Sequence, residues 1–311
     1  MTKKGVSILG IPYGEAAEQK GSELGPASIR KARVGGRDLL TQLRILGLDV
    51  EDLGDVVSPK SGLDEQRPSW PHRVAEVAEL SLSSASAVQE ILRNGRTPIC
   101  IGGDHSVAIG TFSGVSNHFK KENRDIGLLW FDAHADINTP NSSPSGNIHG
   151  MPLAVLLGEG PRELVDLVHQ GAKLNPSHFA HIGARDLDAG EREMVKKLGL
   201  EKNFFTMSDI DRRGMVACME EALSIVSKAS GGYAVTFDVD IIDPRFAPGS
   251  GTLVRGGITY REAHLAMEMV AENGLMQSFE IVEVNPLLDS QNITVELAGE
   301  LILSAFGKTI I

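Results

Sequence analysis

The sequence predicts an α/β fold with a single domain over residues 1–311. We expect a mainly parallel sheet of about eight strands with helices on both faces, which is a three-layer α-β-α arrangement. Short apolar runs alternate with longer stretches of helical periodicity, which is the pattern of repeated β-α-β units. Of the 311 residues, 41% are hydrophobic and 23% are charged, so the chain has enough apolar material for a large core. No internal repeat or linker-like segment divides the chain.

The predicted strands are short apolar or β-branched runs bounded by turn residues. They comprise residues 6–11, 48–53, 97–101, 126–132, 179–182, 203–206, 234–238 and 279–284. Helices are predicted between them from apolar spacing, at residues 74–92, 215–227, 260–272 and 295–306. Pro26 suits the first turn of a further helix. Residues 58–71, rich in Pro, Ser and charge, are expected to form a surface loop, and residues 138–149 form a second long polar stretch.

Composition argues against several classes of protein. The net charge of −11 opposes binding to the phosphates of nucleic acid or to an anionic membrane, and no run of basic residues offsets it. No segment approaches the roughly 18 apolar residues of a membrane span, and the apolar stretch near the N-terminus is too short for a signal peptide. Cys100 and Cys218 are expected to be buried thiols rather than a disulfide framework. We therefore expect a cytoplasmic protein without nucleic-acid or membrane partners.

Three potential metal ligands follow one predicted strand directly. The apolar run 128–131 leads into Asp132, His134 and Asp136, which are separated by single alanines. Alternate residues of an extended chain share a face, so these side chains are expected to point together from the carboxyl end of the strand. Open α/β sheets bind their ligands at that edge. Without a cation these groups would repel one another or stay unsatisfied, so the spacing indicates metal binding.

Two further strand ends repeat this arrangement. Asp238 and Asp240 follow the run 234–237, and His105 follows the glycine turn after the strand at 97–101. Taken singly, His105 could be structural, and the two aspartates could be helix caps or ion-pair partners. Together the three strand ends supply four carboxylates and two imidazoles, about the number that two divalent ions need when two carboxylates bridge them. A carboxylate-rich set without thiolate favours manganese, although ligand types alone leave zinc, cobalt and iron open.

These residues lie in motifs that resemble the arginase family over nearly the whole chain. The stretches shared by ureohydrolases in general are GGDHS at 102–106, DAHAD at 132–136 and DVD at 238–240. SPSGNIHG at 143–150 and EVNP at 283–286 are closer to arginases, and GGITYREAHLAMEM at 256–269 resembles bacterial arginases in particular. The resemblance implies an arginase-like fold and manganese-dependent hydrolysis of L-arginine to L-ornithine and urea by a metal-bridging hydroxide.

The resemblance also implies the ligands of two manganese ions per subunit. One ion would be held by His105, Asp132, Asp136 and Asp238. The other would be held by Asp132, His134, Asp238 and Asp240, so that Asp132 and Asp238 bridge the pair. Two cations lower the pKa of a shared water and fix it for attack, which is the physical basis of the implied reaction. The family forms trimers or pairs of trimers, which implies a homotrimer or homohexamer.

Three residues match catalytic positions of the family. Glu283 matches the carboxylate that binds the guanidinium group through paired hydrogen bonds. His149 matches the imidazole proposed as a proton shuttle, a role that suits a group titrating near neutrality. Asp136 would accept a hydrogen bond from the hydroxide and pass its proton onward. Without the resemblance, Glu283 could equally be a surface or capping residue, and His149 would be an ordinary loop histidine.

Other residues match substrate-binding positions of the family. The positions that bind the α-carboxylate match Asn138, Ser143 and Ser145. The positions near the α-amino group match Asp188 and Glu191. Thr252 matches a threonine near the metals. Unaided, most of these residues would be assigned to a turn-rich loop and a helix start. Ile241 and Ile242 depart from the family, which usually has a glycine after the residue matching Asp240, so the metal site is expected to be slightly reshaped.

Agmatinase, or another ureohydrolase of a guanidino substrate, is the nearest alternative, since its metal chemistry would be the same. Asn138, Ser143 and Ser145 favour arginine, because a substrate without the α-carboxylate would leave them unpaired. A catalytically silent relative would be expected to lack a ligand, and all six are present. A dinuclear phosphoesterase would need basic groups near the metals, and residues 138–149 contain none except His149.

Overall fold

The computed structural model describes residues 5–57 and 70–311. Within these ranges the backbone forms eight β-strands and eleven α-helices. The strands are β1 (Gly5–Ile11), β2 (Asp49–Asp55), β3 (Thr97–Gly102), β4 (Gly127–Phe131), β5 (Phe179–Ile182), β6 (Phe204–Phe205), β7 (Tyr233–Asp238) and β8 (Met276–Val282). The helices are α1 (Gly25–Lys31), α2 (Leu39–Ile45), α3 (Trp70–Arg93), α4 (Ala108–Lys121), α5 (Pro152–Leu156), α6 (Arg162–Val165), α7 (Ala189–Lys197), α8 (Met207–Arg213), α9 (Met215–Val226), α10 (Tyr260–Asn273) and α11 (Ile293–Ala305).

The eight strands form one sheet in the order β2-β1-β3-β8-β7-β4-β5-β6, and every neighbouring pair is parallel. Strands β3, β4 and β7 are buried along their whole length, as expected for parallel strands covered on both faces. The carboxyl ends of parallel strands meet at one edge of the sheet. The segments that follow the four central strands, β3, β8, β7 and β4, are therefore brought together there.

Helices cover both faces of this sheet. Met219 of α9 and Leu301 of α11 belong to the hydrophobic cluster on one face. Phe112 of α4 and Leu153 of α5 belong to the cluster on the other face. Successive residues of β4 point to opposite layers, since Phe131 packs in the first cluster and the residue before it packs in the second. The predicted three-layer α-β-α fold is confirmed.

The predicted elements are present, with differences at their ends. The last strand was expected to reach residue 284, but β8 ends at Val282 because the backbone turns into the left-handed region at Glu283. Pro26 lies in the first turn of α1, as predicted. Of the predicted loop 58–71, residues 58–69 lie outside the described residues. Trp70 and Pro71 begin α3, so the prediction is wrong for them.

Two predictions about the whole chain can also be compared with the structure. Cys100 and Cys218 are both buried and free, as expected. None of the helices in residues 5–57 and 70–311 combines the length and apolar content that crossing a membrane requires.

Candidate metal centre and active site

The six predicted metal ligands all lie at the carboxyl ends of central strands. They are His105 after β3, Asp132, His134 and Asp136 after β4, and Asp238 and Asp240 at the end of β7. The fourth central strand, β8, lies between β3 and β7 and is followed directly by Glu283. The sheet order therefore explains why segments far apart in sequence meet at one place.

The first cluster surrounds the ring of His105, which is fully buried and stacks on Trp130 with a centroid distance of 4.3 Å. The Nδ1 atom of His105 lies 3.1 Å from carboxylate oxygens of Asp132 and Asp136, and 3.2 Å from an oxygen of Asp238. Ligand atoms of His105, Asp132 and Asp136 all lie within 4.8 Å of one another. These side chains are close enough to hold one ion.

The second cluster is formed by Asp132, His134 and Asp240, whose ligand atoms also lie within 4.8 Å of one another. The Nδ1 atom of His134 is 3.0 Å from Oδ2 of Asp240 and 3.4 Å from Oδ1 of Asp132. Asp132 thus presents Oδ2 to the first cluster and Oδ1 to the second, as a bridging carboxylate does. Asp238 presents Oδ2 to the first cluster, while its Oδ1 accepts a hydrogen bond from the Asp240 backbone.

The backbone that brings these ligands together is not the extended chain predicted from the sequence. Strand β4 ends at Phe131, and Asp136 has a φ of 50°, in the left-handed region. Asp240 lies in a 3₁₀ turn, Val239–Ile241, which the side chain of Asp238 caps. The residues converge as predicted, but through turns after the strands rather than through alternation within them. A left-handed non-glycine residue costs about 1–3 kcal/mol and persists where its surroundings enforce it.

The buried acids and imidazoles perturb one another strongly. Burial and the charge of Asp132 raise the pKa of Asp136 to about 6, although the neighbouring His105 ring opposes the shift. Burial also raises the pKa of Asp238, and neighbouring carboxylates add to that effect. Burial opposes the charging of His105 and His134, yet the carboxylates around both rings raise their pKa values well above the usual range. The site therefore carries more negative charge than its imidazoles neutralise.

The donor set fits divalent cations. Nδ1 of His105 is buried without a hydrogen bond of good geometry, although three carboxylate oxygens face it. One proton could satisfy only one of these oxygens, whereas a cation among them would contact several at once. Carboxylates with imidazoles and no thiolate suit hard or borderline ions such as manganese. The two clusters are consistent with a dinuclear centre.

Glu283 and His149 meet beside the first cluster. Glu283 is 2% exposed and has a φ of 63°, and its Oε1 accepts a hydrogen bond from the His105 backbone at 2.9 Å. His149 lies in a 3₁₀ turn, Ile148–Gly150, and its Nδ1 is 2.9 Å from the same oxygen. Burial opposes protonation of His149, but this hydrogen bond and the charges of nearby carboxylates raise its pKa to about 9. Two predicted catalytic residues are thus in direct contact.

The predicted substrate residues fall into two groups. The Asn138 amide donates to Asp188 at 2.7 Å and accepts from Ser142 at 2.8 Å. Asp188 caps α7 in a capping box with Glu191, whose pKa is raised to about 7 by burial and by the charge of Asp136. The structure therefore brings the start of α7 against the beginning of the loop that follows Asp136.

Ser143 and Ser145 lie further along this loop. Their hydroxyl groups are 3.5 Å apart and accept hydrogen bonds from the backbone N–H groups of Gly146 and Asn147. These bonds are local, and Ser145 is exposed. Thr252, which was predicted to lie near the metals, donates to Oδ2 of Asp240 at 3.0 Å.

Several residues that support the ligands were not predicted. The indole of Trp130 donates to Oδ2 of Asp132 at 3.0 Å, which a Trp two residues before a ligand could have suggested. Arg185 donates to the backbone carbonyls of Asp240 at 2.7 Å and of Val254 at 2.8 Å, and no sequence pattern pointed to these bonds. His181 lies 2.7 Å from the carbonyl oxygen of His134 through Nε2. The contacts of Arg185 and His181 join segments that are distant in sequence, so a single strand pattern does not contain them.

The isoleucines after Asp240 are accommodated without left-handed backbone. Ile242 has φ and ψ of −77° and 142°, and Ile241 is not among the residues with positive φ. Ile241 packs against Gly183, where an added Cβ would lie 2.4 Å from its Cγ1 atom. Because Gly183 has no side chain, the side chain of Ile241 fits next to it.

Comparisons with known proteins agree with this geometry. A family model described as "Arginase family" matches residues 4–307. The chain is 42% identical to the arginase of Bacillus caldovelox over 306 residues, which is 98% of this chain and 99% of that protein. It is also 42% identical to the arginase of Bacillus subtilis (strain 168) over 310 residues, 99% of each. The native structure of the Bacillus caldovelox enzyme superposes with a TM-score of 0.90 at 42% identity, covering 99% of this chain and 100% of that one.

Proposed function

The chain belongs to the arginase family, and from this premise we infer that it is an arginase, a metal-dependent enzyme that hydrolyses L-arginine to L-ornithine and urea. The observation that carries the inference is that Asp132 belongs to both metal-binding clusters. Two ions would therefore lie side by side, next to the contact between Glu283 and His149.

We propose that the ions are two Mn²⁺ per subunit, held by the six ligands His105, Asp132, His134, Asp136, Asp238 and Asp240. When bound, two divalent cations lower the pKa of a water that they share and so supply the nucleophile. The carboxylate of Asp136, whose backbone is left-handed, would hold the proton that this water gives up. Asp132, and in this proposal Asp238, keep the two halves of the site at a fixed separation.

Glu283 would orient the guanidinium group of the substrate. Its carboxylate is buried, so it can pair with a planar cation with little competition from water. The new carbon–oxygen bond forms at the guanidinium carbon, and the bond from this carbon to the side-chain nitrogen of ornithine breaks. That nitrogen must gain a proton as it leaves, and His149, held against Glu283, would supply one from its ring.

The loop and the start of α7 would bind the other end of the substrate. Asn138, Ser143 and Ser145 would bind the α-carboxylate, and Asp188 and Glu191 would lie near the α-amino group. The hydrogen bond between Asn138 and Asp188 supports this arrangement, because it holds the two groups next to each other. Thr252 would act near the metals through its bond to Asp240.

The proposal is tested by metal removal and replacement. Protein stripped with a chelator is expected to release no urea from L-arginine, and added Mn²⁺ is expected to restore equal amounts of urea and ornithine. A protein that contains two Mn²⁺ ions and still forms no urea would refute the proposed reaction. Assembly as a homotrimer or homohexamer and location in the cytoplasm stay predictions.

A further inference from the structure

His105 is linked, on the side of its ring away from the carboxylates, to a buried chain of polar groups. Its Nε2 atom lies 3.0 Å from Oγ1 of Thr236. Thr236 donates its hydroxyl proton to Oε1 of Glu280 at 2.8 Å, and Thr111 donates to Oε2 of Glu280 at 2.6 Å. None of these four side chains is more than 4% exposed. The sequence patterns pointed to neither Thr236 nor Glu280.

The directions of these hydrogen bonds determine the protonation of the ring. A hydroxyl group has a single proton, and that of Thr236 goes to Glu280. We infer that the oxygen of Thr236 accepts a hydrogen bond from His105, so that Nε2 carries a proton. The other nitrogen, Nδ1, is then the one available to a cation, and it is the atom that faces the carboxylates of the first cluster.

We propose that Glu280 and Thr236 are positioning residues that hold the His105 ring, with its proton on Nε2, in the orientation that binds metal. This inference rests on the proposed ligand set. Carboxylates that bind the second nitrogen of a ligating histidine fix its tautomer and raise its basicity, and the hydroxyl of Thr236 relays that effect here. Thr236 of β7 and Glu280 of β8 are partners in the sheet register, so the backbone itself fixes their contact.

A purely structural role does not explain a carboxylate at this position. Apart from Glu280 itself and the hydroxyl groups of Thr111, Thr236 and Ser278, the side chains that line the small cavity beside Glu280 are mainly apolar, as Phe112 and Leu128 are. A buried carboxylate is costly in such surroundings, and an apolar side chain would pack there at lower cost. Burial raises the pKa of Glu280, while its two hydroxyl donors and the charge of His105 act in the opposite direction. Holding the ring of His105 accounts for keeping the acid.

The test is the affinity and stoichiometry of Mn²⁺ binding to the full chain, measured by equilibrium dialysis with elemental analysis. Thr236→Val and Glu280→Gln are each expected to lower the affinity for one of the two Mn²⁺ ions by about 10- to 100-fold. The double variant is expected to bind no more weakly than Thr236→Val, because both changes break one chain of contacts. Thr236→Ser retains a hydroxyl group and is expected to bind both ions like the unmodified protein.

Ser116→Ala is the matched control. Ser116 lies on α4, as Thr111 does, and its buried hydroxyl group donates a hydrogen bond to the carbonyl of Lys173, which the substitution removes. It is expected to lower the melting temperature without changing Mn²⁺ affinity. If Thr236→Val and Glu280→Gln lower the melting temperature but bind both ions normally, the positioning role is wrong. If Thr236→Val does not fold, Glu280→Gln decides the question by the same criterion. Failure of the unmodified protein to bind two ions would overturn the proposed function itself, and the positioning role with it.

Discussion

The metal centre and the loop at residues 138–149 are built in different ways. The ligands of the first cluster are buried and contact residues far along the chain, as in the bond from the His105 backbone to Glu283. The serines of the loop are partly or largely exposed, and their hydrogen bonds reach residues two or three positions away. The first region is held by the order of the strands, and the second is held by local turns.

This difference separates the chemistry from the choice of substrate. Ligands fixed by a buried sheet tolerate little change, because several segments must move together when one of them moves. A loop on a rigid scaffold can change its side chains without disturbing the scaffold. We therefore expect substitutions in the metal centre to abolish the reaction, and substitutions in the loop to change which guanidino compound is hydrolysed.

Asp132→Asn is expected to have the largest effect, because Asp132 contributes to both clusters. Loss of an ion removes several kcal/mol of transition-state stabilisation, so turnover of L-arginine should fall on the order of 1000-fold or more. Elemental analysis should also find fewer than two Mn²⁺ ions per chain. Asp211→Asn, an equivalent change at an exposed site on α8, serves as the control. Full metal content in Asp132→Asn would contradict the shared ligand.

Glu283→Gln comes next, because Glu283 contacts the first cluster without being a predicted ligand. Replacing the carboxylate by an amide weakens a charge-assisted pair with the guanidinium, so kcat/KM should fall roughly 10- to 100-fold. Mn²⁺ content should stay at two ions per chain. A loss of activity accompanied by a loss of metal would mean that Glu283 belongs to the metal centre rather than to the substrate site.

Asn138→Ala is expected to act on selectivity. Removing a hydrogen bond to the charged α-carboxylate should lower kcat/KM for L-arginine roughly 10-fold or more, with little change for agmatine, which lacks that group. Ser142→Ala is the matched control, because it disturbs the same loop by removing the hydroxyl that donates to Asn138. Equal losses for both substrates in Asn138→Ala would show that the residue only supports the loop.

Ser145→Ala is expected to have the smallest effect, because this serine is exposed and its hydrogen bonds are local. Water can replace much of a hydrogen bond made by an exposed hydroxyl group, even to the charged α-carboxylate, so kcat/KM for L-arginine should fall only about 2- to 10-fold. The change should appear mainly in KM, and thermal stability should be unaffected. A fall in kcat/KM as large as that of Glu283→Gln would mean that Ser145 acts at the reacting centre. The distinction between the metal centre and the loop would then be wrong.

The fold was predictable because buried parallel strands leave a strong local signal. All eight strands overlap the predicted ones, although the edge strand β2 is polar and largely exposed, and Asp132 and His134 directly follow the buried apolar run of β4. The order of the strands was not predictable, because it depends on contacts between segments more than 100 residues apart. Asp136 shows the limit most clearly, since its position depends on a left-handed backbone rather than on alternation.

The supporting residues of the site were beyond prediction for the same reason. Thr236 was visible only as part of a strand, and its contact with His105 depends on which strands are neighbours. Arg185 binds backbone carbonyls, and because every residue has one, the sequence does not indicate which carbonyls it will bind. The two clusters of potential metal ligands could be expected from residue types and spacing, whereas the contacts of the groups around them required the structure.

The most direct test of the account compares urea release from L-arginine and from agmatine by the unmodified protein loaded with Mn²⁺. Both substrates would present the same guanidinium group to Glu283, so we expect any difference to arise at the end that the loop would bind. We predict that kcat/KM for L-arginine exceeds that for agmatine by roughly 10- to 100-fold, the contribution of hydrogen bonds to a charged group. Equal or faster turnover of agmatine would contradict the assignment of the loop to the α-carboxylate and the identification of L-arginine as the substrate.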